Sequence, residues 1–160
     1  MPPDSDDTVR FKRNHFSTRL PRGCLYCLSH SWLREHASGR WRVGLTGFAT
    51  RMLGEIVEFD FEVSAGGKVE VADVIGWIEG FKAVSDVYCA ASGVFSEVNS
   101  AAIENPEIIC RDPYGDGWIY VIEGRPDPQA VGVDGYVEHL SRTIDKMLEK
   151  PWKSGAMNRP

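Results

Sequence analysis

Hydrophobic and polar residues alternate in the middle of the chain with the period of a β-strand. In residues 55–63, EIVEFDFEV, the apolar side chains of Val57, Phe59, Phe61 and Val63 are separated by acidic residues. A period of two places one set of side chains on a core and the other in water. Such strict alternation favours an antiparallel sheet over a parallel sheet that is buried on both faces.

Further short apolar runs predict additional strands. They are separated by Gly, Pro, Asn and Ser, which are typical of turns. Many short strands at close spacing are typical of a β-sandwich or barrel, so the sequence predicts an all-β domain. The runs cover residues 41–45, 71–79, 86–91, 93–98 and 118–122.

Two helices are predicted to accompany the strands. A short helix is expected over residues 46–53, ending at Gly54, because glycine tolerates the left-handed conformation that follows many helices. Near the C-terminus, apolar residues recur at spacings of three and four, which predicts an amphipathic helix over residues 134–148 that lies on the sandwich. Asp134 is predicted to cap the N-terminus of this second helix.

The two ends of the chain differ in composition from the middle. Residues 1–22 change from acidic to basic without a sustained apolar period, which predicts a flexible N-terminal arm. Residues 151–160 carry prolines, a glycine and little apolar content, which predicts a flexible tail. The predicted domain therefore comprises residues 23–150.

Size and charge limit the classes of function. A chain of 160 residues is long enough to form one domain without a metal or disulfide staple. A net charge of −5 and no basic stripe in the domain argue against nucleic-acid binding. The chain has no run of about 18 apolar residues, so no membrane span is predicted. The acidic N-terminus resembles neither a secretory signal nor a mitochondrial transit peptide, so we expect a cytoplasmic protein.

Lys82 lies between two predicted strands in the segment IEGFKAVSD, residues 78–86. The tip of a hairpin exposes both the amine and its backbone to a modifying enzyme. Most lysines at turns are solvated charges without a further role. The local pattern alone does not distinguish a solvated turn lysine from a lysine to which a group is attached.

Three blocks of sequence, spread over residues 26 to 140, resemble the glycine cleavage system H-protein family. Residues 26–32 are similar to the family's opening Y-x-x-x-H-x-W, and residues 105–118 to its later N-P…D-P-Y-x-x-G-W segment. The third block is similar to G-x-x-E-x-x-K-A-x-S-[DE], which surrounds the lipoyl-bearing lysine of the family. Its places are filled here by Gly76, Glu79, Lys82, Ala83, Ser85 and Asp86.

The resemblance implies a fold, a cofactor and a function. The fold would be the barrel-sandwich hybrid of lipoyl domains, and lipoate would be covalently attached to Lys82. The protein would not be an enzyme but a carrier that shuttles an aminomethyl group on the lipoyl-lysine arm. Biotin is a poorer match, because Phe81 and Ala83 replace the methionines that flank a biotinyl lysine.

The resemblance also implies partners and site residues. The partners would be glycine decarboxylase, aminomethyltransferase, lipoamide dehydrogenase and a lipoate ligase or lipoyl transferase. Glu79 and Asp86 are the acids nearest to Lys82 in sequence, and Ser29 is a further candidate for the pocket of the arm. The alternative role of Glu79 and Asp86 is to keep the tip of the β-hairpin soluble.

Two departures from the family pattern leave a second function open. Ser31 stands where the family has a glutamate, and Gly47 replaces an acid in the family's T-[DE]-x-A-Q segment. A lost carboxylate removes a charge-assisted hydrogen bond to an ammonium group. The alternative is therefore an H-like paralogue that carries another cargo, such as sulfur, or a regulatory binding module in which Lys82 is never modified.

The four cysteines are expected to be thiols. Cys24 and Cys27 have the C-x-x-C spacing of redox dithiols and of half of many zinc sites. They are candidate redox thiols near the lipoyl arm, and two small residues of the core are the alternative. The chain has no second C-x-x-C, so no metal is expected. Cys89 and Cys110 are predicted to be core residues of strands.

Overall fold

The computed structural model describes residues 7–158, and their side chains as far as residue 149. The helices are α1 (Gly47–Leu53), α2 (Ser100–Glu104), α3 (Glu107–Arg111) and α4 (Val133–Asn158). The strands are β1 (Thr8–Arg13), β2 (Phe16–Pro21), β3 (Leu25–Tyr26), β4 (Ser31–Ala37), β5 (Arg40–Leu45), β6 (Ile56–Phe61), β7 (Lys68–Val69), β8 (Val74–Gly80), β9 (Val84–Tyr88), β10 (Ala91–Val98) and β11 (Tyr120–Pro126).

Two antiparallel sheets enclose the main hydrophobic core. One has six strands in the order β3-β4-β5-β11-β10-β7, and the other has three in the order β6-β8-β9. Their inward side chains form one cluster that includes Leu33, Val43, Ile78, Phe95 and Ile122. The predicted all-β barrel-sandwich with a short helix and a C-terminal helix is confirmed.

The alternation predicted for residues 55–63 is interrupted at its start. The register between β6 and β8 shifts between Ile56 and Glu58, which is a β-bulge. As a result Ile56 is buried, whereas Val57 is 43% exposed, and the inward pattern resumes at Phe59. The prediction that Val57 faces the core was therefore wrong, because the extra residue reverses the side-chain direction.

Helix α1 agrees with its prediction. Its N-cap is Thr46, whose Oγ1 accepts a hydrogen bond from the amide of Ala49. Gly54 follows the helix with a φ of 77° and donates its amide to the carbonyl of Thr50. This is a conformation that glycine adopts with little steric cost, so the glycine sets where the helix ends.

Residues 8–21 form a β-hairpin, which differs from the interpretation of residues 1–22 as a flexible arm. Strands β1 and β2 pair in register around a turn where Asn14 has a φ of 54°. Phe11 and Leu20 of the hairpin are buried in a second hydrophobic cluster, together with residues of α4. Residues 1–6 of the predicted arm lie outside the described residues.

Helix α4 is longer than predicted. It begins at Val133, so Asp134 lies in its first turn and is not the N-cap. It continues to Asn158, so most of the predicted tail over residues 151–160 is helical, and the last two residues lie outside the described range. No helix within residues 7–158 is long and apolar enough to cross a membrane.

Candidate functional site

Lys82 lies in a three-residue turn that joins β8 to β9 and rests on the end of α1. The turn is closed by a hydrogen bond from the amide of Gly80 to the carbonyl of Ala83, at 2.9 Å. The amide of Lys82 donates to the carbonyl of Leu53, also at 2.9 Å. The amide of Phe81 donates to the carbonyl of Glu55. The backbone of the turn is therefore held in place on both sides of the lysine.

Two glycines allow the turn to approach the helix this closely. A Cβ atom on Gly80 would overlap the carbonyl oxygen of Leu53, which itself accepts the amide of Lys82. A Cβ atom on Gly54 would lie 3.0 Å from Cγ of Lys82. The position of the lysine thus depends on both glycines.

The side chain of Lys82 is exposed. Its Nζ lies 3.5 Å from the carbonyl oxygen of Arg51, at the limit of a hydrogen bond. The neighbouring Phe81 is 77% exposed, and Ala83 is exposed as well. The amine is therefore accessible to a modifying enzyme, as the sequence predicted for a hairpin tip.

A cavity of about 310 Å³ lies beside this turn, between α1 and the edge strand β9. Most of its surface is apolar. Asp86 is the only carboxylate among its lining residues, and hydroxyl groups come from Ser29, Ser31, Ser85 and Tyr88. The other lining residues are His30, Leu45, Phe48, Ala49, Met52, Leu53, Ile78, Ala83 and Val87.

His30 is the imidazole among the residues that line this cavity. Its backbone has a φ of 74°, and its Nδ1 lies 2.8 Å from the hydroxyl oxygen of Tyr136 on α4. The ring packs against Phe48 and His139, with centroid distances of 4.6 and 5.3 Å. Burial, and then the nearby His139, lower the pKa of His30 to about 4, so the ring is neutral at physiological pH.

The structure brings some of the predicted site residues together and separates others. Ser29 and Asp86 both line the cavity, and Lys82 directly precedes Ala83, which lines it too. Glu79 does not line it, because its neighbour Ile78 on β8 faces the cavity and successive residues of a strand point to opposite faces. Glu79 instead lies opposite Glu58 of β6.

The candidate redox thiols do not line the cavity. Cys24 and Cys27 are each only 3% exposed, and they belong to two different hydrophobic clusters. Burial raises the pKa of Cys24, although Nη2 of Arg34 lies 3.3 Å from its sulfur and acts in the opposite direction. Burial raises the pKa of Cys27 to about 12. Both environments disfavour the thiolate that disulfide exchange requires.

The other two cysteines occupy different environments. Cys89 is buried, as predicted, but it lies between β9 and β10 and not in a strand, and its sulfur donates to the carbonyl of Ala91. Cys110 lies in α3 and not in a strand, and it is only partly buried. Within the described part of the chain, no three His, Cys, Asp or Glu side chains are grouped as a metal site would require.

Several cavity residues were not identified from the sequence. Ala49, Met52 and Leu53 have the spacing of three and four that places side chains on one face of α1, so this signal was available. Tyr136, which contacts His30 but does not itself line the cavity, was predicted only as part of an apolar helix face. Its contact with His30 depends on how α4 packs, 106 residues away in sequence.

The fold and the site together define a class of protein. It is a β barrel-sandwich domain that displays a lysine at a hairpin turn beside an apolar cavity, in the manner of lipoyl domains. The sequence model of the glycine cleavage H-protein family matches residues 24–133. The chain therefore belongs to the glycine cleavage H-protein family.

Individual relatives agree with this assignment. The glycine cleavage system H protein of Stenotrophomonas maltophilia is 41% identical over 107 residues, which are 66% of this chain and 80% of the relative. That of Cronobacter sakazakii is 34% identical over 116 residues, 72% of this chain and 89% of the relative. A crystal structure of a glycine cleavage system H protein from Mycobacterium marinum has a TM-score of 0.70 and 31% identity, covering 76% of this chain and 99% of that one.

Proposed function

We propose that this protein is a non-catalytic carrier that holds a lipoyl group in amide linkage to Lys82. The observation that carries the proposal is the turn, which presents an exposed amine on a backbone anchored to α1. A rigid backbone beneath a free amine suits a lipoate ligase or lipoyl transferase, because the enzyme meets one defined shape. Family membership supports the same assignment.

The residues around Lys82 fit a lipoyl group. The cavity next to the turn has an apolar lining and a volume of about 310 Å³, which suits a short apolar chain ending in a small sulfur ring. When attached, the group supplies a disulfide and dithiol pair on a flexible tether. Phe48, Met52 and Ile78 provide the apolar walls, and Ser29 and Asp86 provide the polar groups.

In this proposal the chain's own residues position the arm and shield it. Attachment to one protein raises the effective concentration of the cargo at each partner enzyme. The exposed turn lets the arm leave the cavity, and burial of its end in the cavity excludes water from the cargo. Glu79, on the other face of β8, is assigned to recognition of the turn by partners and not to contact with the arm.

We infer that the partners are the remaining components of glycine cleavage and the enzyme that attaches lipoate. These would be glycine decarboxylase, aminomethyltransferase and lipoamide dehydrogenase, with a lipoate ligase or lipoyl transferase acting first. The names of the relatives support this set. The cytoplasmic location stays a prediction from the sequence.

One observation favours a different cargo. A protonated amine is held best by carboxylates, and Asp86 is the only one among the lining residues, because Ser31 and Gly47 stand where the family has acids. The alternative, an H-like carrier of another cargo such as sulfur, therefore has a specific basis in the site.

Glycine-dependent exchange of carbon dioxide by purified glycine decarboxylase separates the two functions. The lipoylated protein is expected to stimulate the exchange, and Lys82→Arg is expected to give none. An established H protein serves as the positive control. If that control is active and the fully lipoylated protein gives no stimulation, the aminomethyl assignment fails and the alternative cargo is favoured.

A further inference from the structure

A chain of hydrogen bonds connects the beginning of α1 to the cavity through α4. The amide of Ala49 donates to Oγ1 of Thr46 at 3.3 Å, and Thr46 Oγ1 lies 2.9 Å from the hydroxyl oxygen of Tyr136. The same Tyr136 oxygen lies 2.8 Å from Nδ1 of His30. Tyr136 lies just beyond residues 24–133, the segment that the family model matches, so the match itself does not describe this connection.

The protons in this chain can be placed by counting donors and acceptors. Thr46 is fully buried, and among the described residues its Oγ1 has two hydrogen-bonding neighbours. The amide of Ala49 can only donate, so Tyr136 is the one acceptor available to the hydroxyl proton of Thr46. Donation in the opposite direction, from the Tyr136 hydroxyl to Thr46 Oγ1, also fits the 2.9 Å contact, but it would leave the fully buried hydroxyl proton of Thr46 without an acceptor among the described residues.

The placement of these two protons determines which nitrogen of His30 is protonated. If Thr46 donates to Tyr136, the hydroxyl proton of Tyr136 is directed at Nδ1 of His30. A neutral imidazole carries one proton, and it must then be on Nε2. Phe48 and His139 hold the ring in place, and no side chain or backbone group in the described residues is hydrogen-bonded to Nε2.

We propose that Tyr136 and Thr46 are positioning residues that hold His30 as its Nε2–H tautomer, so that the cavity offers a neutral N–H donor to an electron-rich atom of its occupant. In the proposed function, on which this part of the inference rests, that atom is a sulfur of the lipoyl arm. The tautomer itself does not depend on the arm. A donor at this place favours a disulfide, a thiolate or an uncharged amine over an ammonium ion.

The tautomer is tested by nitrogen NMR of the unmodified protein, labelled with ¹⁵N at its histidines, near neutral pH. Loss of the corresponding signals in His30→Asn assigns the ring of His30. The expected result is a protonated Nε2 and an unprotonated Nδ1. A protonated Nδ1 in the parent protein would overturn the proposal. The only variant that must fold for this measurement is His30→Asn, which assigns the signals.

Variants test whether Tyr136 is responsible. Tyr136→Phe keeps the ring that stacks on Tyr26 at 4.7 Å but removes the hydroxyl, and should give a mixture of His30 tautomers. Tyr26→Phe is the matched control, because it removes a hydroxyl bonded to the carbonyl of Pro21 in the same cluster, and should leave the tautomer unchanged. Thr46→Ser keeps a hydroxyl and should also leave it unchanged. An unaltered tautomer in Tyr136→Phe would refute the positioning role.

Contact with the arm is tested on protein that intact mass shows to be fully lipoylated. The Nε2–H signal of His30 is expected to differ from that of the unmodified protein, and to change again when dithiothreitol reduces the arm. An unchanged signal in fully modified protein would overturn the contact. Absence of the mass gain would instead contradict the proposed function, and with it the assignment of sulfur as the occupant, while the tautomer result would stand.

Discussion

At the scale of single residues, the environment of each side chain decides what it can do. Lys82 is an accessible amine because its own turn exposes it, and the motif around it predicts that position from local sequence. His30 is neutral because packing from α4 and α1 buries it, and no local pattern could indicate this. Local roles were therefore predictable, and roles that depend on distant packing were not.

Stability is expected to fall in acid because of His30. Its pKa is lowered to about 4 from an unfolded value of 6.5, so between these pH values the unfolded state binds a proton that the folded state does not. Stability should therefore decrease as the pH falls from about 6.5 to 4. The loss is on the order of 2 kcal/mol, after a discount for partial exposure of the ring.

His30→Asn should remove this part of the pH dependence, because asparagine tolerates the left-handed backbone and does not titrate. Urea unfolding across the same pH range provides the measurement. The matched control is His15→Asn at the exposed turn of the β1–β2 hairpin. Parallel profiles for the parent and His30→Asn would show that His30 is not the buried neutral group described here.

The cysteines should differ in their reactivity towards iodoacetamide in the native protein. Cys110 is partly exposed and should be alkylated first, whereas Cys24, Cys27 and Cys89 are buried and should react slowly. Peptide mass mapping over time measures the order. Labelling of Cys24 or Cys27 as fast as Cys110 would restore these two as candidate redox thiols. A change in the oxidation of the lipoyl arm when Cys24 and Cys27 are both replaced by serine would have the same meaning.

At the scale of elements, the apolar patterns predicted most strands and both longer helical segments, but not their irregularities. The bulge in β6 left no mark in the alternation around Val57. The β1–β2 hairpin was missed because its basic residues dominate the segment. Its signal was present, since Val9 and Phe11 alternate with Arg10 and Lys12 before an asparagine suited to a turn.

The hairpin is expected to contribute to stability as an integral element. Leu20→Ala should lower the free energy of unfolding by about 2–5 kcal/mol, because Leu20 is 1% exposed in the cluster shared with α4. Lys12→Ala, on the exposed side of the same hairpin, should stay within about 0.5 kcal/mol of the parent. Chemical unfolding measures both. Equal stability of the two variants would favour a flexible arm after all.

The turn that carries Lys82 should depend on Gly80. Gly80→Ala places a methyl group against the carbonyl oxygen of Leu53, so the turn must move away from α1. We expect a loss of about 2 kcal/mol or more in stability and slower lipoylation. Gly23→Ala is the control, since nothing lies within 4 Å of its Cβ position. Equal stability and modification of both variants would contradict the described anchoring.

At the scale of the whole molecule, two elements flank the segment that the family model matches. The family match covers residues 24–133, while the hairpin before it and α4 after it pack against each other. Arg13 of the hairpin pairs with Asp145 of α4, at 2.8 Å. The three sequence blocks that resemble the family made the domain predictable, whereas the packing of the β1–β2 hairpin against α4 required the three-dimensional structure.

The central claim is that Lys82 is the attachment point of a lipoyl group. The most direct test is the intact mass of the protein co-expressed with a lipoate ligase in the presence of lipoate. The parent protein and Lys68→Arg, which alters another exposed lysine, should gain the mass of one lipoyl group, and Lys82→Arg should gain none. No gain in the parent, while an established H protein is modified in the same cells, would contradict the claim.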